Sequence, residues 1–398
     1  MGKDLKGKEL GAGLSQRKDK TYQGRYKDRY GKINYVYGKK LSDVRDQLAQ
    51  EISNNLNFAN IRDDVKLDAW FDRWVDVYKR KGVRPNTLRE YTHVYKKNIS
   101  PFIGERKLNS LVQADIQNLI DIADDSGYKY EQQNKIKVVL SDMFKKAIDN
   151  DLMLKNPAAN IKLRKSKEVH AFALSEEEQE IFFDVSLGTF YDPLFNVAVQ
   201  TGLRPGELFA LTISDIDFDK GYISVNKTLV YQKYLDDEKK TFHIEPPKTK
   251  QSNRKVPINS ICKSYLLKQI QQKKIVCSKR PKEENDFLFV TRYNTPLNSV
   301  LYSQAIKSIV QEINLTRPFD NQFPVFGGHT FRHTFATRCF ECGIEAKVVQ
   351  SYLGHASLQM TMDLYTHVTE KKAEEDIEKL VKNPPTGVID IDSRRKCV

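Results

Sequence analysis

Apolar positions recur along this chain with two spacings, and the changes of spacing divide it. In "TYQGRYKDRYGKINYVYG" (21–38) the spacing is two. Tyr22, Gly24 and Tyr26 fall on one face and Gln23, Arg25 and Lys27 on the other; after a turn around Gly31, Ile33, Tyr35 and Tyr37 repeat the apolar set. Val44, Leu48, Ile52 and Leu56 then follow at intervals of four, with Ser42 as N-cap. This predicts a small sheet plus one helix over residues 1–62.

From 63 to 163 the helical spacing persists. Leu67, Trp70, Phe71, Trp74, Val77 and Tyr78 form one stripe, and Ile136, Val139, Leu140, Met143, Phe144, Ala147 and Ile148 another. Between them, "RPNTLREYTHVYKKNISPFIG" predicts a helix that starts near Asn86 and stops before Pro101, and a further helix spans Asp115 to Asp124. The pattern breaks at the polar, basic "IKLRKSKEVHAF" (161–172), which reads as a linker over 164–174. A helix restarts at Ser175, which makes a capping box with Glu178. From 175 to 385 the pattern is mixed, with helices flanking a β region near 212–257 in which "GYISV" and "RKVPI" read as strands. Residues 386–398, beyond Pro384 and Pro385, read as a flexible tail. The expected fold class is multidomain: a small sheet-plus-helix domain, an all-α domain, and a mixed, mainly α domain with a small antiparallel sheet.

Charge narrows the partner. The 398 residues carry a formal net charge of +13, and up to residue 40 twelve Lys and Arg face four acids. So basic a chain favours a polyanion, nucleic acid or an acidic membrane surface. No stretch approaches the ~18 apolar residues of a membrane span, and "MGKDLKGKEL" lacks the apolar core of a signal peptide. Nucleic acid leads. The face of Gln23, Arg25 and Lys27, with Arg17 and Lys18, is either a reader of the DNA major groove or a solvated basic sheet, and the groove reading leads. Arg84, Arg89, Lys96, Lys97, Lys129 and Lys135 in the helical part are either phosphate grips or solvated faces. Five cysteines, an odd number, fit free thiols in a reducing cytoplasm. The pair Cys339 and Cys342 reads as small buried thiols on a helix face rather than a zinc or redox site.

"GGHTFRHTFATR" (327–338) puts His329, Arg332 and His333 at i, i+3 and i+4, one face of a helix. The two histidines imitate a zinc helix, but position 330 is Thr where a catalytic Glu should stand, and no acidic third ligand follows closely. Four other segments each add polar groups. "TGLRPGELFAL" (201–211) sets Arg204 at a helix start, with Pro205 at its first position and Glu207 in its first turn. "PPKTKQSNRKVPI" (246–258) sets Lys248 at a β-hairpin, and "YLGHASLQMTMDLYTHV" (352–368) supplies His355 after a glycine, then Tyr365.

This ordered set resembles the tyrosine recombinases, the integrases of temperate phages and conjugative transposons. The match runs through every motif from about 175 to 370, and the three-part layout extends it to nearly the whole chain. A first module opening with "SQRKDKTYQGRY" is most similar to integrases of conjugative transposons from Gram-positive bacteria. The resemblance implies an arm-site-binding domain (1–62), a helical core-site-binding domain (63–163) and a catalytic domain (175–385). It further implies Arg204, Lys248, His329, Arg332 and His355 as the catalytic set, with Tyr365 as nucleophile. Glu207 takes a supporting role and His333 a packing or orienting one.

The implied reaction is DNA strand transfer through a covalent 3'-phosphotyrosine, which needs no ATP, cofactor or metal. The implied partners are double-stranded attachment sites, core and arm, bound by a homo-tetramer in a bacterial cytoplasm. An excisionase or a host DNA-bending protein is a candidate accessory. "EKKAEEDIEKLVKN" (370–383) could dock on a neighbouring subunit or fold back on its own domain. Two rival readings remain: an enzyme like the type IB topoisomerases, and a non-catalytic DNA-binding regulator.

Overall fold

The computed structural model describes residues 2–27, 32–56, 65–164, 172–247, 250–280 and 285–365. The turn around Gly31, most of the linker, Lys248 and everything after Tyr365 lie outside them. The chain divides into two compact units, residues 1–168 with 234–236, and residues 169–233 with 237–398.

The first unit opens with strands β1 (Gly2–Lys3), β2 (Glu9–Gly11), β3 (Leu14–Gln16), β4 (Tyr22–Lys27) and β5 (Ile33–Gly38), followed by helix α1 (Leu41–Leu56). β3, β4 and β5 form an antiparallel sheet, and β1 pairs with β2. Tyr22, Tyr26 and Val36 pack with Leu10, Leu14, Val44 and Leu48 as one small core. The expectation for β5 fails here. Register pairs Gln23 with Tyr37, Arg25 with Tyr35 and Lys27 with Ile33, so the apolar residues of β5 share the outward, basic face. Ile33, Tyr35 and Tyr37 are about half exposed, and Val36 is the residue that turns inward. Ser42 is not the N-cap either: the helix begins at Leu41, and the Ser42 hydroxyl donates to Asp43. Ile52 is exposed.

Helices α2 (Leu67–Trp74), α3 (Pro85–Asn98), α4 (Ser100–Ile103), α5 (Gln113–Asp125) and α6 (Tyr130–Asp149) build a second core, with a π-helical turn over Val75–Lys79. Trp70, Phe71 and Trp74 are buried, and Phe71 stacks on Tyr95 at 3.7 Å between centroids. Val77, expected in the stripe, points out, since the π turn displaces it from the helical period. Pro101 does not simply end α3; it sits in the first turn of α4, where a missing N–H costs nothing.

The second unit contains α7 (Glu176–Ser186), α8 (Asp192–Thr201), α9 (Pro205–Phe209), β6 (Ile216–Asp217), β7 (Tyr222–Val225), β8 (Thr228–Gln232), β9 (Thr241–Glu245) and β10 (Arg254–Pro257). It continues with α10 (Ser260–Lys279), α11 (Ser299–Asn314), α12 (Thr330–Glu341), α13 (Ala346–Leu353) and α14 (Gln359–Tyr365). Ser175 and Glu178 make both bonds of the expected capping box. β7 lies between β6 and β10 in an antiparallel sheet, and β8 pairs with β9. The largest core gathers Phe182, Phe195, Phe209, Tyr302 and Phe331. Cys339 is buried, but Cys342 is exposed at the end of α12, so only one of the pair is a packed thiol. Among the described residues, no helix is long and apolar enough to cross a membrane.

Candidate functional site

Two helices stop on left-handed glycines, and their last carbonyls define the site. α8 ends at Gly202 with φ +61°, and a Cβ there would lie 2.4 Å from a Phe335 ring carbon. α13 ends at Gly354 with φ +63°, where a Cβ would lie 2.9 Å from Arg254 Cδ. Only glycine meets both demands, the conformation and the space.

Arg332, in the first turn of α12 and 3% exposed, spans these ends. Its Nη1 donates to the Gly202 carbonyl at 2.9 Å and its Nη2 to the Leu353 carbonyl at 2.6 Å. A guanidinium at a helix C-terminus satisfies carbonyls that have no partner within the helix, and it favours the negative end of the dipole. Burial, then the charge of Arg204, pushes the Arg332 pKa down to about 9, which leaves it cationic at neutral pH.

Two residues beyond Gly202, Arg204 caps α9 with Pro205 at its first position, as the sequence predicts. Its backbone N–H and its Nη1 both donate to Glu207, each at 2.9 Å, and its Nη2 approaches the Gly354 carbonyl at 3.4 Å. Glu207 is buried, and burial alone would raise its pKa. Hydrogen bonds from Arg254 and the charges of Arg254 and Arg204 overcome this and hold it below the usual carboxylate range.

Arg254 escaped the sequence reading. It donates to both Glu207 oxygens, at 3.1 and 3.0 Å, and through Nε to the Tyr352 carbonyl at 2.5 Å. A signal existed: alternation along β10 puts Arg254 on the face of buried Val256, and an arginine on an inward face needs a carboxylate.

The imidazoles complete the site. His355 is buried beside Gly354, and its Nδ1 is 2.9 Å from Thr361 Oγ1. Burial, then the charges of Arg332, Arg204 and Arg254, pushes its pKa down to about 3. His329, the exposed N-cap of α12, is also lowered, by desolvation first and then by Arg332 and Arg204. His333 is half-buried, its Nδ1 has no hydrogen-bond partner among the described residues, and burial takes its pKa down to about 4. His355 and His333 are therefore neutral near pH 7, and His329 is pushed towards its neutral form, so these rings can donate or accept with little added charge.

Arg204, Glu207, Arg332 and His355 thus meet around two helix ends, with His329 at the mouth. Tyr365 ends α14, whose Leu364 packs with Leu353 and Phe340; its side chain, like Lys248, is outside the described residues. Among the described residues, no three His, Cys, Asp or Glu are grouped as metal ligands. Paired guanidiniums beside neutral imidazoles suit a phosphate.

The residues singled out for DNA contact lie elsewhere. Gln23, Arg25 and Lys27 share the outward face of β4 with Tyr35 and Tyr37, Arg17 lies over the Tyr37 ring at 5.3 Å, and Lys18 is exposed next to it. Arg84 precedes α3, Lys96 is exposed on it, and Lys135 on α6 is ion-paired with Glu90.

Comparison with known proteins gives this arrangement its class. Residues 182–372 match the phage integrase family, and residues 66–122 match the phage integrase N-terminal SAM-like domain. The chain belongs to the phage integrase family of tyrosine recombinases, enzymes of site-specific DNA recombination. It is 28% identical over 407 residues to the transposase from transposon Tn1545 of Streptococcus agalactiae, covering 96% of each chain. Its fold matches the Tn1549 transposon integrase in complex with transposon right end DNA, with a TM-score of 0.68 and 23% identity over 80% of this chain and 100% of that one. It also matches the lambda integrase tetramer bound to a Holliday junction, with a TM-score of 0.57 and 23% identity over 90% of this chain and 95% of that one.

Proposed function

We propose that this recombinase integrates and excises a mobile element by cutting and rejoining double-stranded attachment-site DNA. The Tyr365 phenolic oxygen gives up its proton to a neutral imidazole, His329 or His355, and attacks the scissile phosphorus; a 3'-phosphotyrosine bond forms, the bond to the 5' oxygen breaks, and that oxygen takes a proton from Lys248. Arg204 and Arg332 hold the non-bridging oxygens, and His329 and His355 donate further hydrogen bonds or move protons. Glu207 steadies Arg204, and His333 packs behind the site. Resolution reverses the sequence with another 5' hydroxyl, so the phosphotyrosine conserves the bond energy.

One observation carries the assignment of roles: Arg332 and Arg204 are fixed by carbonyls and a carboxylate beside neutral imidazoles, in the motif order of the family. Residues 1–62 would bind arm sites through Arg17, Lys18, Gln23, Arg25 and Lys27, and residues 63–163 core sites through Arg84, Lys96 and Lys135. Residues 164–174 link these to the catalytic part (175–385), with 386–398 as a tail. Relatives solved on transposon-end DNA and as a tetramer on a Holliday junction support a homo-tetramer on two core sites. An excisionase or host bending protein would bias direction, the 370–383 segment would dock on a neighbouring subunit or on its own domain, and the bacterial cytoplasm is the compartment.

The test is a nicked suicide duplex carrying the ends of the element that encodes the protein. The natural chain forms a covalent adduct on it, whereas Tyr365→Phe binds the duplex and forms none. Adducts surviving in the variant would sink the mechanism.

A further inference from the structure

Glu207 is one buried carboxylate shared by two guanidiniums, and the sharing is unequal. Arg254 meets it with both terminal nitrogens and is itself 5% exposed, whereas Arg204 reaches it with one terminal nitrogen and stays 32% exposed. Arg254 is almost wholly enclosed among the described residues, and its Nε and Nη1 also donate to the Tyr352 and Ser252 carbonyls.

We propose that Arg254 is a positioning residue that takes up the charge of Glu207, so that Arg204 keeps its own positive charge for the scissile phosphate. The proposal rests on the reading of Arg204 as a phosphate ligand. Arg204, Arg254 and Arg332 set three positive charges against one negative. Without Arg254, Glu207 would pair with Arg204 alone, and that pair would be neutral where the transition state gathers negative charge. An ion pair in a water-poor site interacts strongly enough for this to matter. Arg254 also ties three segments together. It joins β10, which follows the stretch containing Lys248, to the first turn of α9 and to the Tyr352–Gly354 turn that leads to His355.

A purely structural role and this electrostatic one differ in what a second substitution does. In the full-length protein, Arg254→Gln is expected to slow single-turnover adduct formation on the nicked duplex about 100-fold, the scale of a misplaced catalytic group. DNA affinity should hold. Adding Glu207→Gln removes the unbalanced carboxylate, and the double variant should then cleave about 10-fold faster than Arg254→Gln alone, a coupling of the size contacting charges show. Arg254→Lys, which keeps a cation but not the fork, should fall between Arg254→Gln and the natural chain. Cleavage by Arg254→Gln at the natural rate would overturn the proposal. So would a double variant no faster than the single one, with thermal unfolding lowered equally in both, since Arg254 would then only hold the fold. Failure of the underlying reading looks different: adducts would persist in Arg204→Ala and Tyr365→Phe.

Discussion

The glycine that ends α8 permits a quantitative test of how the site is held. Gly202→Ala puts a Cβ on a residue at φ +61°, 2.4 Å from a Phe335 ring carbon and 3.1 Å from Leu353 Cδ2. The left-handed backbone costs an alanine about 1–2 kcal/mol, and forcing the neighbours apart adds about 1–3 kcal/mol. For a domain of about 200 residues, each kcal/mol lowers the melting temperature by about 2–4 °C, so a fall of about 4–20 °C is expected. Gly188→Ala is the control. It has a similar φ, +74°, with nothing within 4 Å of the new Cβ, and should show the backbone cost alone. The molecule supplies its own reporter for locating the effect: the two tryptophans of the chain, Trp70 and Trp74, both lie in the helical core of the first unit. Tryptophan fluorescence should therefore melt unchanged while calorimetry and far-ultraviolet dichroism record the loss. Because the Gly202 carbonyl receives Arg332, a shift of that turn by about 1 Å should also cut adduct formation by about 100-fold. Equal melting of the Gly202 and Gly188 variants would refute the claim that close packing fixes this turn.

Three further outcomes are expected. His355 binds a proton at about 6.5 when unfolded but at about 3 when folded, so protonation favours the unfolded chain. The stability it contributes is complete above pH 6.5 and is lost as pH falls towards 3, at roughly 1–2 kcal/mol by pH 5; melting against pH should slope down from 6.5 to 5, and His355→Gln should flatten that slope. Adduct formation should proceed in excess EDTA, since guanidiniums take the place of a metal, and a strict magnesium requirement would contradict the assignment. Deleting residues 1–62 should abolish binding to arm-site duplexes in gel-shift titrations and spare core-site cleavage, whereas equal loss of both would reject that division of labour.

What could be read from the sequence had local causes. Arg204, Pro205 and Glu207 are a helix start within four residues, and the capping at Ser175 and Glu178 is equally short-range; both form as expected. Arg254 was missed because its partner lies 47 residues away in the chain, and a lone arginine beside Lys255 looks like a solvated strand. Ile33, Tyr35 and Tyr37 alternate correctly, but alternation cannot say which face is inward; pairing with β4 decides that, and it turns the tyrosines towards the basic side. Cys342 stands three residues from Cys339, a spacing that predicts burial on the same helix face, yet α12 ends before its side chain reaches the core. Composition gives no warning of the first two, since each depends on an element elsewhere in the chain.

The two carbonyls that receive Arg332 come from separate helix ends, 130 and 21 residues distant from it along the chain. Neither turn alone can aim the guanidinium. If the end of α8 or of α13 opens, even briefly, one of its anchors is lost. With Arg332 as the proposed phosphate ligand, an enzyme that breaks DNA gains an interlock from this: a misfolded or half-digested copy is disarmed by the same event that damages it, without any separate inhibitor.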